Sequence, residues 1–195
     1  MDMTTAETPA TRERILEEAT RLFVARGYHG ISMREIAERV GVSKAGLYYH
    51  FKDKEDLFLA ILTENLDITE RLAAQAQREQ PTARAQIGWL LRAILAQPPH
   101  QRALIRVASH EIEHVSEAAR AEFGRRYREK FIDRLAGILR AGISRGELRR
   151  FDVRTATRVL LGMMYPFLTP GAQGAGPGEA ELELMLSLFF EGAEK

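Results

Sequence analysis

The chain has 195 residues, and its 28 basic and 27 acidic side chains leave a formal net charge of only +1, which argues against a protein that coats nucleic acid. It contains no cysteine, which excludes disulfide bonds and thiol-based sensing. No apolar signal segment is visible, and the longest apolar stretch, 159–168, is too short to span a bilayer, so we expect a cytoplasmic protein without membrane contact. Residues 1–10 carry acidic but no basic side chains, and we predict that they form a disordered tail.

Residues 11–55 have the pattern of a small DNA-binding domain built around a helix-turn-helix. Ser32 and Glu35 have the spacing of a capping box at the start of one short helix. Gly41 suits the left-handed backbone conformation that ends a helix, and Ser43 can cap the helix that follows. In a helix-turn-helix, the helix after the turn is the one that enters the major groove of DNA.

The outward face of this second helix carries side chains that suit contacts with DNA: Lys44, Ala45, Gly46, Tyr48, Tyr49 and His50. The two small residues let the backbone approach the edges of the bases. Lys44 lies in the first turn, where an ammonium group reaches acceptors on a base, most often those of guanine. Tyr48, His50 and Lys54 suit phosphate oxygens, which fix the position of a protein on DNA but carry no sequence information.

The segment 41–54, GVSKAGLYYHFKDK, resembles the recognition segment of the TetR/AcrR family of bacterial transcriptional regulators. The match extends over about residues 11–62, through the preceding helix and the GYHGIS bridge at 27–32. The resemblance implies DNA contacts by the residues that match the family's motif: Ser32, Arg34, Ser43, Lys44, Tyr48, Tyr49, His50 and Lys54. The alternative, for this segment taken alone, is an ordinary helical hairpin with half-buried tyrosines.

The remaining residues, 56–195, show helical periodicity and no sustained alternation of the kind that marks strands. We therefore predict an all-α protein. The resemblance implies that the N-terminal helix-turn-helix domain is followed by a helical effector-binding and dimerisation domain. The predicted helices after the recognition helix are 54–79, 83–97, 100–114, 117–145, 153–168 and 179–191.

An effector pocket in this second domain is expected from the resemblance, and aromatic and methionine side chains at helical spacing are candidates for its lining. The predicted pocket residues are Trp89, Arg106, His110, Phe123, Tyr127, Phe131, Met163 and Phe167. The same side chains would also make a plain hydrophobic core. We expect a small, largely apolar effector, such as an acyl-CoA or an aromatic acid derivative, whose negative charge nearby arginines would neutralise: Arg102, Arg106, Arg125, Arg126 and Arg128.

The last two predicted helices are candidates for a dimer interface. The final helix, 179–191, is apolar around most of its circumference, whereas a terminal helix of a soluble monomer should keep one polar face. The predicted interface residues are Val159, Met163, Leu182, Met185, Leu186 and Phe189. A homodimer would place two recognition helices on a palindromic operator with half-sites about 34–36 Å apart. The alternative is a last helix that is buried within one chain.

One further motif, His110-Glu111-Ile112-Glu113-His114, matches the H-E-x-x-H string of zinc hydrolases. Two histidines four residues apart share one face of a helix and can bind one zinc ion. We expect an ordinary helix face here, with no metal, no cofactor and no catalytic residue. The sequence thus predicts a ligand-responsive transcriptional regulator, a repressor released from its operator by the effector. The alternatives are a metal-responsive regulator that uses His110 and His114, and a zinc hydrolase.

Overall fold

The computed structural model describes residues 9–168 and 178–192, with side chains described for 11–166 and 178–192. The predicted tail lies outside the described residues up to residue 8, and Pro9 already belongs to the first helix. The prediction of an all-α protein is confirmed. The helices are α1 (Pro9–Arg26), α2 (Met33–Val40), α3 (Lys44–His50), α4 (Lys54–Glu79), α5 (Ala83–Leu95), α6 (Pro99–Glu111), α7 (Glu117–Tyr127), α8 (Asp133–Ser144), α9 (Val153–Leu168) and α10 (Glu179–Glu191).

Two of the predicted helices are interrupted by other kinds of turn. A 3-10 turn at Ile112–His114 follows α6, and a π turn at Arg128–Ile132 joins α7 to α8 within the segment predicted as one helix. Periodicity does not reveal such turns, because each changes the helical rotation for only a few residues. None of the described helices is long and apolar enough to cross a membrane.

Side-chain caps set the start and the end of the two short helices. The Ser32 hydroxyl accepts a bond from the Glu35 N–H at 3.3 Å, and the Glu35 carboxylate accepts one from the Ser32 N–H at 2.8 Å, which completes the predicted capping box. Gly41 ends α2 with φ +75°, a conformation that costs glycine little. The Ser43 hydroxyl then caps α3 by accepting from the Gly46 N–H at 2.9 Å.

The described helices enclose two hydrophobic cores. The first core joins α1, α2 and α3 to the first half of α4, and we call these elements the reader. The predicted domain boundary between residues 55 and 56 therefore falls in the first turn of a helix that continues from the reader into the rest of the chain. Leu104 and Val107 of α6 also pack into this core, so α6 touches the reader directly.

The second core joins the rest of α4 to α5, α8, α9 and α10, and we call the helices outside the reader the sensor domain. Inward-facing residues of α10 are part of this core, namely Leu182, Met185, Leu186, Phe189 and Phe190. Ion pairs hold α10 on α5 as well: the Arg92 Nε donates to Glu179 at 2.8 Å, and Arg92 also pairs with Glu183.

Candidate DNA-binding surface and effector cavity

The recognition helix α3 is short, and its two faces differ sharply. Leu47 is fully buried and anchors α3 on the reader core. On the opposite face Tyr48 is 42% and Tyr49 70% exposed, and Lys44 is exposed as well, with its ammonium 5.8 Å from the centre of the Tyr48 ring. Neighbouring aromatic side chains that are left in contact with water often mark a surface that binds a partner. The exposed face of α3 has this character.

The other residues predicted to contact DNA lie around α3 in different roles. Ser32 and Ser43 use their hydroxyl groups as the helix caps described above, and both remain exposed. Arg34 is exposed and pairs with Glu38 at 3.6 Å within α2. His50 is half-buried at the end of α3. Ala45 is exposed and Gly46 lies one residue further along α3, so the first turn of α3 offers little steric bulk to a duplex.

Lys54 was predicted to contact a DNA phosphate, but its ammonium group is hydrogen-bonded within the protein. Its Nζ donates to the carbonyl oxygens of Tyr28 at 2.8 Å and Ile31 at 3.1 Å, and it lies 4.4 Å from the centre of the Tyr28 ring. The ammonium group therefore ties the turn between α1 and α2 to the first residue of α4. Since a bond to a charged donor stabilises a fold more than a neutral one, Lys54 holds the reader together.

A cavity of about 380 Å³ lies inside the sensor domain, between α4, α6, α7 and α9. Most of its wall is apolar, and the apolar lining is Leu62, Leu66, Ile94, Leu104, Ile105, Ala108, Ile112, Phe123, Phe131 and Leu161. The polar side chains of the wall are Asn65, Thr69, Ser109, Arg120, Tyr127 and Tyr165. Burial raises the pKa of the Tyr127 hydroxyl, so this group stays neutral. Such a wall fits a small molecule with an apolar body and few polar groups.

Three of the predicted pocket residues, Phe123, Tyr127 and Phe131, line this cavity. Their rings form a row, with centroids 6.4 Å and 5.7 Å apart. A regular α-helix turns by about 40° too far every four residues, so three such rings would drift around its surface. The wider π turn between Tyr127 and Phe131 counteracts this drift and keeps the third ring in the wall.

The other predicted pocket residues lie elsewhere. Trp89 packs against the second core, and Arg106 and His110 are exposed. Met163 borders a groove between α9 and α10 rather than the cavity. The side chain of Phe167 lies outside the described residues. The prediction missed the wall from α4 and α6, because apolar residues on those helices have the same spacing as core residues. It also missed Arg120 of α7.

The arginine that lines the cavity is not one of the five predicted to neutralise an anionic effector. Arg125 and Arg126 pair with Glu122 on the outside of α7, which neutralises their charge locally. Arg120 lines the cavity and makes no ion pair within the part of the chain that the structure describes. It is thus the cavity's cationic side chain, and its charge is available to an anion in the cavity.

The H-E-x-x-H string lies at the junction between the sensor domain and the reader. His110 is in the last turn of α6, whereas His114 is in the 3-10 turn, so the two histidines do not sit on one continuous α-helix. The Glu111 carboxylate accepts a bond from the Tyr28 N–H of the reader at 3.0 Å. Among the described residues, no group of three or more metal-ligating side chains is arranged to hold a metal ion.

The fit of Glu111 against the reader is tight. A Cβ on Gly27, which has φ +71°, would lie 3.0 Å from the Glu111 Oε1, so this glycine leaves the room that the carboxylate occupies. A second link to the reader lies a few residues further along the chain. Both the N–H and the hydroxyl of Ser116 donate to Glu55 of α4, at 2.7 and 2.8 Å. Residues 111–116 are therefore fixed to the reader at both ends.

Comparisons with known proteins agree with this geometry. The family described as "Bacterial regulatory proteins, tetR family" matches residues 15–61, and the family described as "Tetracyclin repressor-like, C-terminal domain" matches residues 80–166. The transcriptional repressor BepR of Brucella suis is 32% identical over 182 residues, which cover 89% of this chain and 86% of BepR. The chain belongs to the TetR family.

Two solved structures place this TetR-family chain among known folds. AibR in complex with isovaleryl coenzyme A and operator DNA is 26% identical, with a TM-score of 0.75 over 92% of this chain and 98% of AibR. FadR from Bacillus subtilis is 23% identical, with a TM-score of 0.79 over 92% of this chain and 98% of FadR, which supports the shared fold. The chain is thus a DNA-binding transcriptional regulator with a ligand-binding domain.

Most residues predicted to form the dimer interface of this TetR-family chain lie inside its own core. Leu182, Met185, Leu186 and Phe189 are buried in the chain's own core, as in the alternative prediction of a buried last helix. The exposed apolar residues of the same helices are Val159 at 50%, Leu184 at 60% and Leu188 at 63% exposure. Beside them lies a groove of about 350 Å³, bordered by Val159, Met163 and Leu188 among others.

Proposed function

We propose that the chain is a TetR-family repressor that binds a palindromic operator as a homodimer and is released by a small, largely apolar effector with a negatively charged group. Acyl-CoA thioesters and aromatic carboxylic acids are the effector classes that this description fits. Such a regulator acts in the bacterial cytoplasm, where the DNA is, and it carries out no catalysis. The name of BepR as a repressor supports the sign of regulation.

DNA recognition follows from the exposed face of α3. Lys44 reads a base edge in the major groove, and Tyr48, Tyr49 and His50 contact the phosphates on either side. The small Ala45 and Gly46 let this turn approach the bases. Lys54 contributes indirectly, because its bonds to the turn before α2 fix the position of α2 beneath α3.

The effector class follows from the cavity. Its volume of about 380 Å³ lies within the range of roughly 300–1,000 Å³ that small-molecule sites usually have. The apolar wall suits an acyl chain or an aromatic ring. Arg120, which makes no ion pair among the described residues, suits a carboxylate or a phosphate. The isovaleryl coenzyme A complex of AibR supports an acyl-CoA in particular.

The observation that carries the proposal is the connection between the cavity and the reader. Ser109 and Ile112, which line the cavity, lie before and after Glu111 in the sequence, and Arg120 lines the cavity just beyond Ser116. The bonds of Glu111 and Ser116 to the reader lie between these positions. An effector that draws this segment inward favours a conformation with differently placed recognition helices, and coupling of about 1–3 kcal/mol is typical of such linkage.

The test measures operator affinity with and without effector. An operator fragment selected from random DNA is titrated with the purified chain by fluorescence anisotropy, in the presence of acyl-CoAs of increasing chain length and of aromatic carboxylic acids. We expect one class to weaken operator binding about 5- to 150-fold. The variant Arg120→Gln should need more effector for the same release while binding the free operator as tightly as the wild type.

Two results would count against this function. If no compound of either class changes operator affinity, the cavity is not an effector site for these molecules. If the effector strengthens operator binding instead, the chain is a regulator with the opposite sign. Equal release of the wild type and of Arg120→Gln would remove Arg120 from the site without affecting the rest of the proposal.

A further inference from the structure

The wall of the effector cavity is buried on one side and exposed on the other. Leu62 and Leu66 of α4 are only 2% and 6% exposed, and Leu104 of α6 is 3% exposed. Across the cavity, Tyr127 of α7 is 37% and Tyr165 of α9 is 41% exposed. Since α7 packs on α4 and α9 packs on α6, the cavity has its floor at α4 and α6 and opens to the surface between α7 and α9.

We call this opening the mouth, and its border consists of Arg120, Gly124 and Tyr127 of α7 and Tyr165 of α9. The three residues of α7 are spaced by four and three positions, so they share one face of the helix. All three are exposed, and Gly124 lies between the other two. An effector whose apolar end reaches the floor therefore brings its polar end to Gly124 and Arg120.

Gly124 is unusual among the residues of the mouth, because neither its backbone conformation nor its packing requires a glycine. It lies in the interior of α7 and does not have a positive φ. Among the described residues, no atom of a packed neighbour lies within 4 Å of the place that a Cβ would occupy. A glycine in the interior of a helix is less stable than an alanine would be. What this glycine does provide is empty space beside the mouth.

The size of the cavity decides which effectors need that space. Its volume of about 380 Å³ is near the lower end of the range of roughly 300–1,000 Å³ for small-molecule sites, so it encloses an acyl chain or an aromatic ring but not a nucleotide carrier as well. A free carboxylic acid can end with its carboxylate at Arg120 and leave the mouth empty. A thioester of coenzyme A has to pass its linker through the mouth to a carrier in solvent.

We propose that Gly124 is a specificity-determining residue of the effector site, because it leaves room at the mouth for the linker between an acyl group inside the cavity and a carrier outside. The effector is then an acyl-CoA thioester rather than an aromatic carboxylic acid or a free fatty acid. Arg120, one turn away on the same face, donates to carbonyl or phosphate oxygens of the carrier. The inference rests on the proposed effector site and chooses between its two effector classes.

The test compares CoA thioesters with the matching free acids as agents that release the operator in an anisotropy titration. The probes are butyryl-, octanoyl- and lauroyl-CoA, together with butyrate, octanoate and laurate. We expect at least one thioester to release the wild type at a lower concentration than its free acid does. Gly124→Leu fills the mouth, so it should need about tenfold or more of that thioester for the same release. Release by the free acid should be unchanged in this variant.

Control variants separate passage through the mouth from the stability and the bulk of α7. Gly124→Ala and Gly137→Ala each replace a helical glycine that has room for a Cβ, so each should raise the melting temperature by about 2–4 °C. Of these two, only Gly124→Ala should weaken the response to the thioester, and by less than Gly124→Leu does. Ala121→Leu adds bulk to an exposed position of α7 outside the cavity wall and should leave that response unchanged. All variants should bind the free operator like the wild type.

The outcomes separate the role of Gly124 from the effector site itself. Gly124→Leu that responds to the thioester like the wild type would overturn this role, as would equal weakening of the thioester and free-acid responses, since the cavity itself would then have changed. A wild type that free acids or aromatic acids release, but no thioester does, would overturn the carrier and leave the effector site standing. A wild type that no compound of either class releases would overturn the proposed effector classes, and the inference with them.

Discussion

The reader and the sensor domain are both built from amphipathic helices, but their binding residues lie on opposite faces of those helices. The reader presents its working groups outward: on α3, Leu47 is fully buried while Tyr49 is 70% exposed. The sensor domain keeps its working groups inward, where Phe131 and Leu104 line the cavity and also belong to the hydrophobic cores. A binding site on the outside breaks the expected pattern of burial, whereas most of the apolar wall of the cavity keeps that pattern. Tyr127 and Tyr165 of the wall are, however, 37% and 41% exposed.

This difference explains what the sequence could predict. In the reader, the capping box of Ser32 and Glu35 and the turn at Gly41 are present as predicted, because each is a local arrangement that a few residues determine. The helices predicted at 54–79, 153–168 and 179–191 also coincide with α4, α9 and α10, since long apolar periodicity bounded by turn residues is a strong signal.

The sequence predicted less of the binding site in the sensor domain. Its α6 wall was missed because Ile105 and Ala108 have the periodicity of any buried helix, and only the three-dimensional packing leaves a space beside them. Leu182 and Leu186 of α10, which the chain's own core buries, were assigned to the dimer interface for a similar reason: a helix that is apolar around most of its circumference does not show which of its faces the chain itself covers. Lys54 was assigned to DNA because the carbonyl groups that it binds belong to a turn whose shape the sequence does not give.

A matched pair of enlargements tests the contrast most directly. Ala37→Leu adds three carbon atoms to the closely packed reader core, where Ala37 is buried, and should lower the free energy of unfolding by about 3 kcal/mol, the upper end of the usual cost of overpacking. Ala108→Leu adds the same atoms to the wall of the cavity, which has room for them, so the free energy of unfolding should change little while effector binding is lost. Urea denaturation and effector titration measure the two quantities.

Equal destabilisation by both enlargements would mean that the cavity is closed in solution and that the two cores pack alike. Retained effector response in Ala108→Leu would place the effector elsewhere. Either result would remove the distinction between an outward and an inward site.

Within the reader, a second pair separates base recognition from phosphate contacts. Lys44→Ala should reduce discrimination at one base-pair position by about 2 kcal/mol, because a bidentate or charged contact to a base edge is lost. Tyr48→Phe should weaken binding to every sequence to a similar degree, since a phosphate contact carries no sequence information. Competition between the operator and its single-base variants, measured by anisotropy, distinguishes the two patterns. An unchanged base preference in Lys44→Ala would move base recognition to another residue of α3.

The smallest effect concerns the cap that positions α2 beneath the recognition helix. The Ser32 hydroxyl, then the Arg26 guanidinium and the Ser32 N–H, bond to the Glu35 carboxylate and lower its pKa from about 4.5 to about 2. A carboxyl group whose pKa is lowered in the folded state stabilises that state above its unfolded value and loses this contribution as pH falls through its folded value. The cap should therefore hold above about pH 4.5 and weaken progressively between that pH and pH 2. The carboxyl carbon shift of Glu35, followed by NMR in acid, should have its midpoint near pH 2, and a midpoint near 4.5 would show that the cap is not formed in solution. In Glu35→Gln the capping geometry is kept without the charge, so the acid-dependent part of the stability of α2 should disappear while its helical shifts at neutral pH remain.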